Sequence, residues 1–311
     1  MRGRNFSARR LLLLVAVYVF SGQVEAHAKT IGIIMTGDIP YYHEIHQKLL
    51  DEMSAAFAEQ NIEVVLQKPL PNPMSWTNAA RKLKALGAAV IVTYGLPATL
   101  TAMKEAGQIP IIFAGVYSPE TMNIGGKNTT GISSTLSLRT VINKLREISK
   151  LAEIGIIFNK AEKDSIIQAR EIKKFEKTVG YKTTLLNISA KLEADKMTGL
   201  DALIMTSCSA GMCKPHLPEI VALARKHKVP TVALISGAED LVVLTFSAAA
   251  AEQGEQAAGI LRKVLAGEYP GNIPVRQPEQ IEVIVNLKEA LKMGIEIPAA
   301  VLDAATRVIE Q

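Results

Sequence analysis

The stretch IGIIMTGDIPYYHEIHQKLL, residues 31–50, decides the fold. Ile31–Met35 is a short apolar run rich in Ile, the pattern of a strand buried on both faces. A Gly37-Asp38 turn follows. Pro40 then sets the first helical turn, where its missing N–H costs nothing. From Tyr41 the spacing becomes helical and runs to Glu59. Strand, tight turn and helix within so few residues form the first part of a βαβ unit.

The same unit recurs downstream. Further apolar runs lie at Ala89–Tyr94, Ile109–Val116, Ile154–Asn159, Thr184–Ile188, Ala202–Thr206, Pro230–Ile235, Leu241–Phe246 and Ile281–Leu287. Segments of helical period separate them: Trp76–Leu86, Asp164–Thr178, Leu217–His227 and Ala249–Leu265. The clearest is the stripe Leu138, Val141, Ile142, Leu145 and Ile148, whose spacings put all five on one face. Such alternation implies right-handed crossovers and open parallel sheets. Aromatic residues make up only 5% of the chain, against plentiful aliphatics, which suits strands covered by helices. The units are too many for one small sheet. A polar turn, Gly125–Thr130, leads into Gly131-Ile132 and Ser133-Ser134-Thr135, where a second set is expected to begin. Pro274 and Pro278 flank a late extended piece, Ile273–Gln277.

Upstream of residue 31 the pattern is that of an export signal. Arg2, Arg4, Arg9 and Arg10 precede ten uncharged residues, Leu11–Phe20, and the segment ends in Ala26-His27-Ala28. That order predicts a secretory signal cleaved after Ala28 and a periplasmic mature protein. Ten apolar residues fall short of the roughly 20 a spanning helix needs. The segment carries four Arg and one Glu, so the mature chain keeps 31 basic against 29 acidic residues. The basicity of the whole chain is therefore largely that of its signal, and no nucleic-acid partner is expected.

Cys208 and Cys213 are the only cysteines. In an oxidising compartment a pair so close in sequence is a candidate local disulfide. The alternative is a soft-metal set in which Cys208, Cys213, Met212 and His216, with Met205 nearby, hold copper(I). Catalytic patterns are missing: there is no G-x-S-x-G elbow, no H-E-x-x-H and no phosphate-binding G-x-x-x-x-G-K-[ST]. No cofactor and no enzymatic activity are expected.

Several motifs now converge. The tail GNIPVRQPEQIEVIVNLKEALKMGIEIPAAVL, residues 271–302, the run Ile109-Pro110-Ile111-Ile112-Phe113, the crossover Thr130-Gly131-Ile132-Ser133 and the strand ending Phe158-Asn159 resemble those of ABC-transporter substrate-binding proteins. The group is that of type I periplasmic binding proteins whose better-known members bind tryptophan and related aromatic amino acids. The resemblance covers nearly all of residues 29–305. It implies two Rossmann-like α/β lobes, three inter-lobe crossings, a ligand cleft, a membrane permease as partner and a monomer in solution. The lobes are expected at 29–134 plus 242–279 and at 135–241 plus 280–311. The same fold can also serve as a sensor that presents its closed form to a receptor.

Ligands of parallel sheets sit beyond the carboxyl ends of the strands. This places candidates in the first residues after each run: Tyr41 and Tyr42, Gly95 and Pro97, Tyr117 and Ser118, and Ser133 and Ser134. In the second lobe they are Asn159, Ser207, Ser236 and Glu239. Glu162 and Asp164 follow Asn159; either could face an ammonium group, and their more ordinary role is capping the helix that follows. Tyr117-Ser118 stands where the family usually has Thr-Asp, and Ser207-Cys208-Ser209 departs from its Pro-Thr-Asp-Asn. The expected ligand is accordingly an amino acid or a related carboxylate.

Overall fold

The structure, a computed structural model, describes residues 29–188, 194–208 and 214–310. The export signal, Met212 and Cys213 lie outside the described residues.

The first half alternates as the sequence predicts: β1 (Lys29–Met35), α1 (Pro40–Glu59), β2 (Ile62–Gln67), α2 (Pro73–Ala85), β3 (Val90–Tyr94), α3 (Leu96–Glu105), β4 (Ile111–Val116) and β5 (Thr129–Ser133). The five strands form one parallel sheet in the order β2-β1-β3-β4-β5. Its three central strands are buried along almost their whole length, as a sheet covered on both faces requires.

The second half holds α4 (Leu138–Ile148), β6 (Glu153–Phe158), α5 (Lys163–Lys174), β7 (Lys182–Asn187), β8 (Ala202–Met205), α6 (Leu217–His227), β9 (Thr231–Ala233) and β10 (Leu244–Ala248). After α7 (Ala250–Leu265) come β11 (Ile281–Asn286), α8 (Leu287–Met293), α9 (Ala299–Leu302) and β12 (Arg307–Ile309). Here the order is β12-β11-β10-β9-β8-β6-β7, parallel except between β10 and β11. The α4 stripe packs into this lobe's core through Leu138, Val141, Ile142 and Leu145. Its N-terminus is capped by the Ser137 hydroxyl, which accepts the Thr140 N–H at 3.2 Å.

One boundary differs from the sequence reading. The stretch 242–279 was expected in the first lobe, yet β10 is bonded between β9 and β11 of the second sheet. The short link from β9 keeps the chain in that sheet. Residues 250–276 return to the first lobe: Ala257, Ala258 and Leu261 of α7 and Ile273 beyond it join the core formed by Tyr41, Ile45 and Leu49 of α1, and Ile132 of β5 bridges to Arg276. Several elements escape the sequence patterns, among them β2, β5, β12, α3, α8 and α9. Strand β2 is a half-exposed edge and lacks a continuous apolar run. Helix α3 begins directly at Leu96, where the sequence suggests only a turn.

The chain passes between lobes three times, at 134–137, at Ala249 and at 277–280. These passages are tied to one another. Ser133 N–H donates to the Arg276 carbonyl at 2.8 Å, and Ala249 N–H to that of Gln280 at 3.0 Å. Helix α7 fastens them further. The Glu252 carboxylate accepts the N–H groups of Glu279 and Gln280 at 2.8 and 2.7 Å. The Gln253 amide accepts from Gly115 N–H and donates to the Ser133 carbonyl, both at 2.9 Å. Among the described residues no helix is long and apolar enough to cross a membrane.

Candidate ligand site between the lobes

The carboxyl ends of both sheets face each other across a narrow seam. The first lobe lines it with Tyr41, Gly115, Tyr117 and Ser134; Asp164, Ser207 and Ser247 are among the residues facing them from the second. The seam is nearly shut, with a cavity of about 10 Å³. That is room for about one water, so any larger guest requires the lobes to separate.

Tyr41 sits in the first turn of α1, placed there by Pro40. Its ring lies 5.7 Å from that of Tyr42, which in turn stacks on Tyr94 at 6.4 Å. Tyr41 is only 2% exposed, and its hydroxyl has no hydrogen-bond partner. Burial, reinforced by Glu282, Glu252 and Glu44, pushes this phenol far above its ordinary value, so it stays a protonated donor. An unpaired buried hydroxyl costs about 1–3 kcal/mol. A group arriving in the seam can recover that cost.

Tyr117 crosses the seam. It leaves the end of β4, joins the apolar core of the second lobe, and donates its hydroxyl to Glu171 Oε2 on α5 at 2.8 Å. Burial first, and the Glu171 carboxylate second, hold its proton in place. A second closing contact brings Gly237 against Pro40. A Cβ on Gly237 would lie 3.2 Å from Pro40 Cδ, and its φ of +111° favours glycine.

Below the seam the second lobe carries a satisfied polar network. Ser165 and Thr206 hydroxyls meet at 2.6 Å. Gln168 donates to Ser207 Oγ at 2.9 Å and accepts the Ser207 N–H at 2.7 Å. Beside it, at the ends of β6, β8 and β9, opens a larger cavity of about 360 Å³ lined mainly by aliphatic side chains. Ser236 borders this cavity and also, with Glu239, a separate groove where Glu44 of α1 faces Glu239, Glu282 and Arg307. There burial first, and Glu44 second, raise the Glu282 carboxyl above its ordinary range.

Of the residues singled out in sequence, Tyr41, Tyr117, Ser134 and Ser207 therefore line the seam. Ser236 lines the larger cavity and the acidic groove, and Glu239 the groove alone. The others are engaged locally. Gly95 lies behind Tyr42, whose hydroxyl would be 2.2 Å from a Cβ there, and Pro97 sits in the first turn of α3. Ser118 N–H donates to Thr135 Oγ1, and its hydroxyl pairs with Thr121. Ser133 Oγ meets Thr135 at 2.6 Å. The Asn159 amide donates to Glu162 and accepts from Ala161 N–H. Glu162 does stand at the N-cap of α5, but its side chain makes no capping bond. Of the two roles the sequence offers Asp164, facing a ligand's ammonium group or capping α5, its place on the seam fits the first. Gly115, Ser247 and Ala248 were not singled out.

Cys208 is disulfide-bonded, which removes one thiolate from the proposed copper set, and Met205 is buried in β8. Among the described residues no group of three or more His, Cys, Asp or Glu side chains is placed to hold a metal ion.

Two parallel-stranded lobes, three passages and polar groups converging on the seam define a two-lobed solute-binding architecture. The chain belongs to the ABC transporter substrate binding protein family, whose sequence profile matches residues 29–309. A tyrosine-binding protein of Clostridioides difficile (strain R20291) is 23% identical over 239 residues, covering 73% of this chain and 69% of that protein. An uncharacterized protein of Rickettsia prowazekii (strain Madrid E) is 23% identical over 291 residues, 90% of each chain. Among solved structures, an ABC domain from Streptococcus pneumonia in complex with L-Trp superposes with a TM-score of 0.82 at 18% identity, covering 91% of this chain and all of the other. The ligand-free, open form of a substrate-binding protein with adhesive properties from Clostridium difficile gives 0.70 at 20% identity, with 91% and 100% covered.

Proposed function

We propose that this protein is the extracytoplasmic capture component of an ABC importer and that it holds an amino acid or a related carboxylate in the seam between its lobes. The observation that carries this reading is the buried, unpartnered Tyr41 hydroxyl, beside Ser134 in the first lobe's wall of the seam, with Asp164, Ser207 and Ser247 in the opposite wall. Hydroxyl groups suit a carboxylate, and Asp164 suits an ammonium group. The relatives bound to tryptophan and named for tyrosine support the ligand class. Entry requires opening about the three passages, with loss of the Tyr117–Glu171 and Pro40–Gly237 contacts. A ligand touched by both lobes restores the closed form and displays it to a membrane partner.

The test is thermal unfolding of residues 29–311 against a panel of amino acids and oxo-acids. A ligand bound to the folded state alone adds about 2.7 kcal/mol at one hundred times its dissociation constant. Tyr41→Phe should separate the two roles of the hydroxyl. The unliganded protein gains about 1 kcal/mol by losing an unpaired polar group, while affinity falls roughly three- to tenfold. Equal affinity in wild type and variant would remove Tyr41 from the site.

A further inference from the structure

We propose that the groove at the lobe boundary is an electrostatic gate: carboxylates of opposite lobes oppose closure, and acidification of the surroundings releases it. The proposal rests on the reading of the lobes as a closing pair and is independent of which ligand they close around.

The geometry comes first. The groove opens over about 410 Å³ and takes its walls from both lobes. Glu44, one turn into α1, enters from the first. Glu239 in the loop after β9, Glu282 on β11 and Arg307 on β12 enter from the second. Among the described lining residues, three carboxylates thus share one guanidinium. The groove also takes in Pro40 and Gly237, the pair at which the lobes touch. Separation of the lobes there draws Glu44 away from Glu239 and Glu282 and admits water between them. Closure brings the like charges together again, which costs free energy.

The carboxylates are not equivalent. Glu239 is tied to its own loop, where it accepts the Gly237 N–H at 2.7 Å. Glu282 has less support: Ser247, its partner across β10 and β11, donates a hydroxyl at 3.5 Å. Burial first, then Glu44, and more weakly Glu239, raise its carboxyl above the ordinary range, against the pull of Ser247 and Arg307. Two further groups stand nearby. Tyr41 on α1 stays protonated, and the Glu252 carboxylate on α7 is engaged by the N–H groups of Glu279 and Gln280. Neither supplies a positive charge.

The sign follows from linkage. In the open form Glu282 is hydrated and far from Glu44, so its pKa falls back toward the ordinary value. Closing raises it. Between the two values closing therefore takes up a proton, and a fall in pH drives the equilibrium toward the closed form. Above the raised value the repulsion acts in full. Ser247 also lines the seam, so the gate adjoins the site it controls. A ligand gripped by both lobes is held more tightly wherever the closed form is more populated.

The experiment uses the mature chain, residues 29–311, with no ligand added. Carboxyl-carbon NMR follows the titration of Glu282, assigned with Glu282→Gln. Small-angle scattering follows the radius of gyration from about pH 7.5 down to about pH 5, above the range of ordinary carboxylates. Wild-type Glu282 should titrate above that range, and Glu44→Gln should lower its midpoint by about half a unit. Wild type should contract as pH falls. Glu282→Gln, a neutral mimic of the protonated group, should be contracted throughout, and Glu44→Gln should lie between the two. A Glu282 midpoint indifferent to Glu44, or a radius that ignores pH and both substitutions, overturns the gate. Gly237→Val separates this failure from that of lobe closure itself. If it expands the molecule while pH does not change the radius, the gate alone fails; if neither does, the closing pair fails with it.

Discussion

The two lobes end their sheets differently. At the carboxyl end of the first sheet the space is filled. Tyr41, Tyr42 and Tyr94 stack together, and Trp76 donates its indole N–H to the Thr36 carbonyl at 2.9 Å. The matching end of the second sheet is hollow, with aliphatic walls around about 360 Å³ and a satisfied hydroxyl-amide network alongside. Filled space resists change, because removing a packed ring leaves a hole that neighbours cannot close. Hollow space tolerates change and discriminates among guests. The first lobe is thus packed as a rigid platform, while the second keeps open space at its strand ends.

The sharpest way to break this comparison is Tyr42→Ala. The ring is fully buried, and its loss should cost about 4 kcal/mol of stability. Truncation of Leu217 to Ala, at the edge of the hollow, should cost no more than about 1 kcal/mol, since the side chain is half-exposed and already borders a cavity. Denaturant unfolding of both variants checks the contrast; similar losses would mean that the second lobe is packed as tightly as the first.

A somewhat smaller effect is expected behind the hollow. Helix α6, which lines it with Leu217, Pro218 and Ile220, is braced by Arg225, whose guanidinium makes two 2.8 Å bonds to the buried Glu289 carboxylate on α8, with Lys292 at 2.5 Å. Burial pulls the Glu289 carboxyl upward, but Arg225 and Lys292 outweigh it and hold the group below its ordinary value. A depressed carboxylate stabilises the fold above its unfolded pKa and loses that contribution as pH falls through the lowered one. Glu289→Ala should therefore cost about 3 kcal/mol at neutral pH. Glu289→Gln should flatten the acid limb of the stability profile below about pH 4.5. An unchanged acid limb would show that the brace is not what titrates.

The smallest effect concerns closure. Gly237→Val places a branched side chain against Pro40 at a φ of +111°. It should favour the open form and weaken ligand binding about tenfold, a cost near 1.4 kcal/mol. Small-angle scattering should report a larger radius of gyration. A variant as compact as wild type, with unaltered affinity, would show that Pro40 and Gly237 do not limit closure.

Much of this was legible in the sequence for a simple reason. Buried parallel strands announce themselves as apolar runs, and position after a strand end sufficed to bring Tyr41, Tyr117, Ser134 and Ser207 to the seam. The same rule failed for Asn159 and Ser118. Side chains of that kind readily bond to nearby backbone and polar groups, so their own loops consume them. Gly95 and Pro97 were hidden by a through-space event, the fall of Tyr42 over the start of α3. The hollow was not legible because Ile157, Ile220 and Ala233 carry the same apolar signal whether they meet a neighbour or a void.

The order of β10 and β11 bears on how the molecule is assembled. Strand β10 is sealed on one side only when β11 arrives antiparallel to it, and β12 then pairs beyond β11. Until residues 281–309 are available, β10 is an unprotected sheet edge, able to recruit other chains. The apolar face of α1 likewise waits for α7. The first lobe is thus completed by α7, and the second only by residues 281–309. A nascent or truncated chain ending near residue 280 is expected to aggregate rather than to persist as one finished lobe and one missing one.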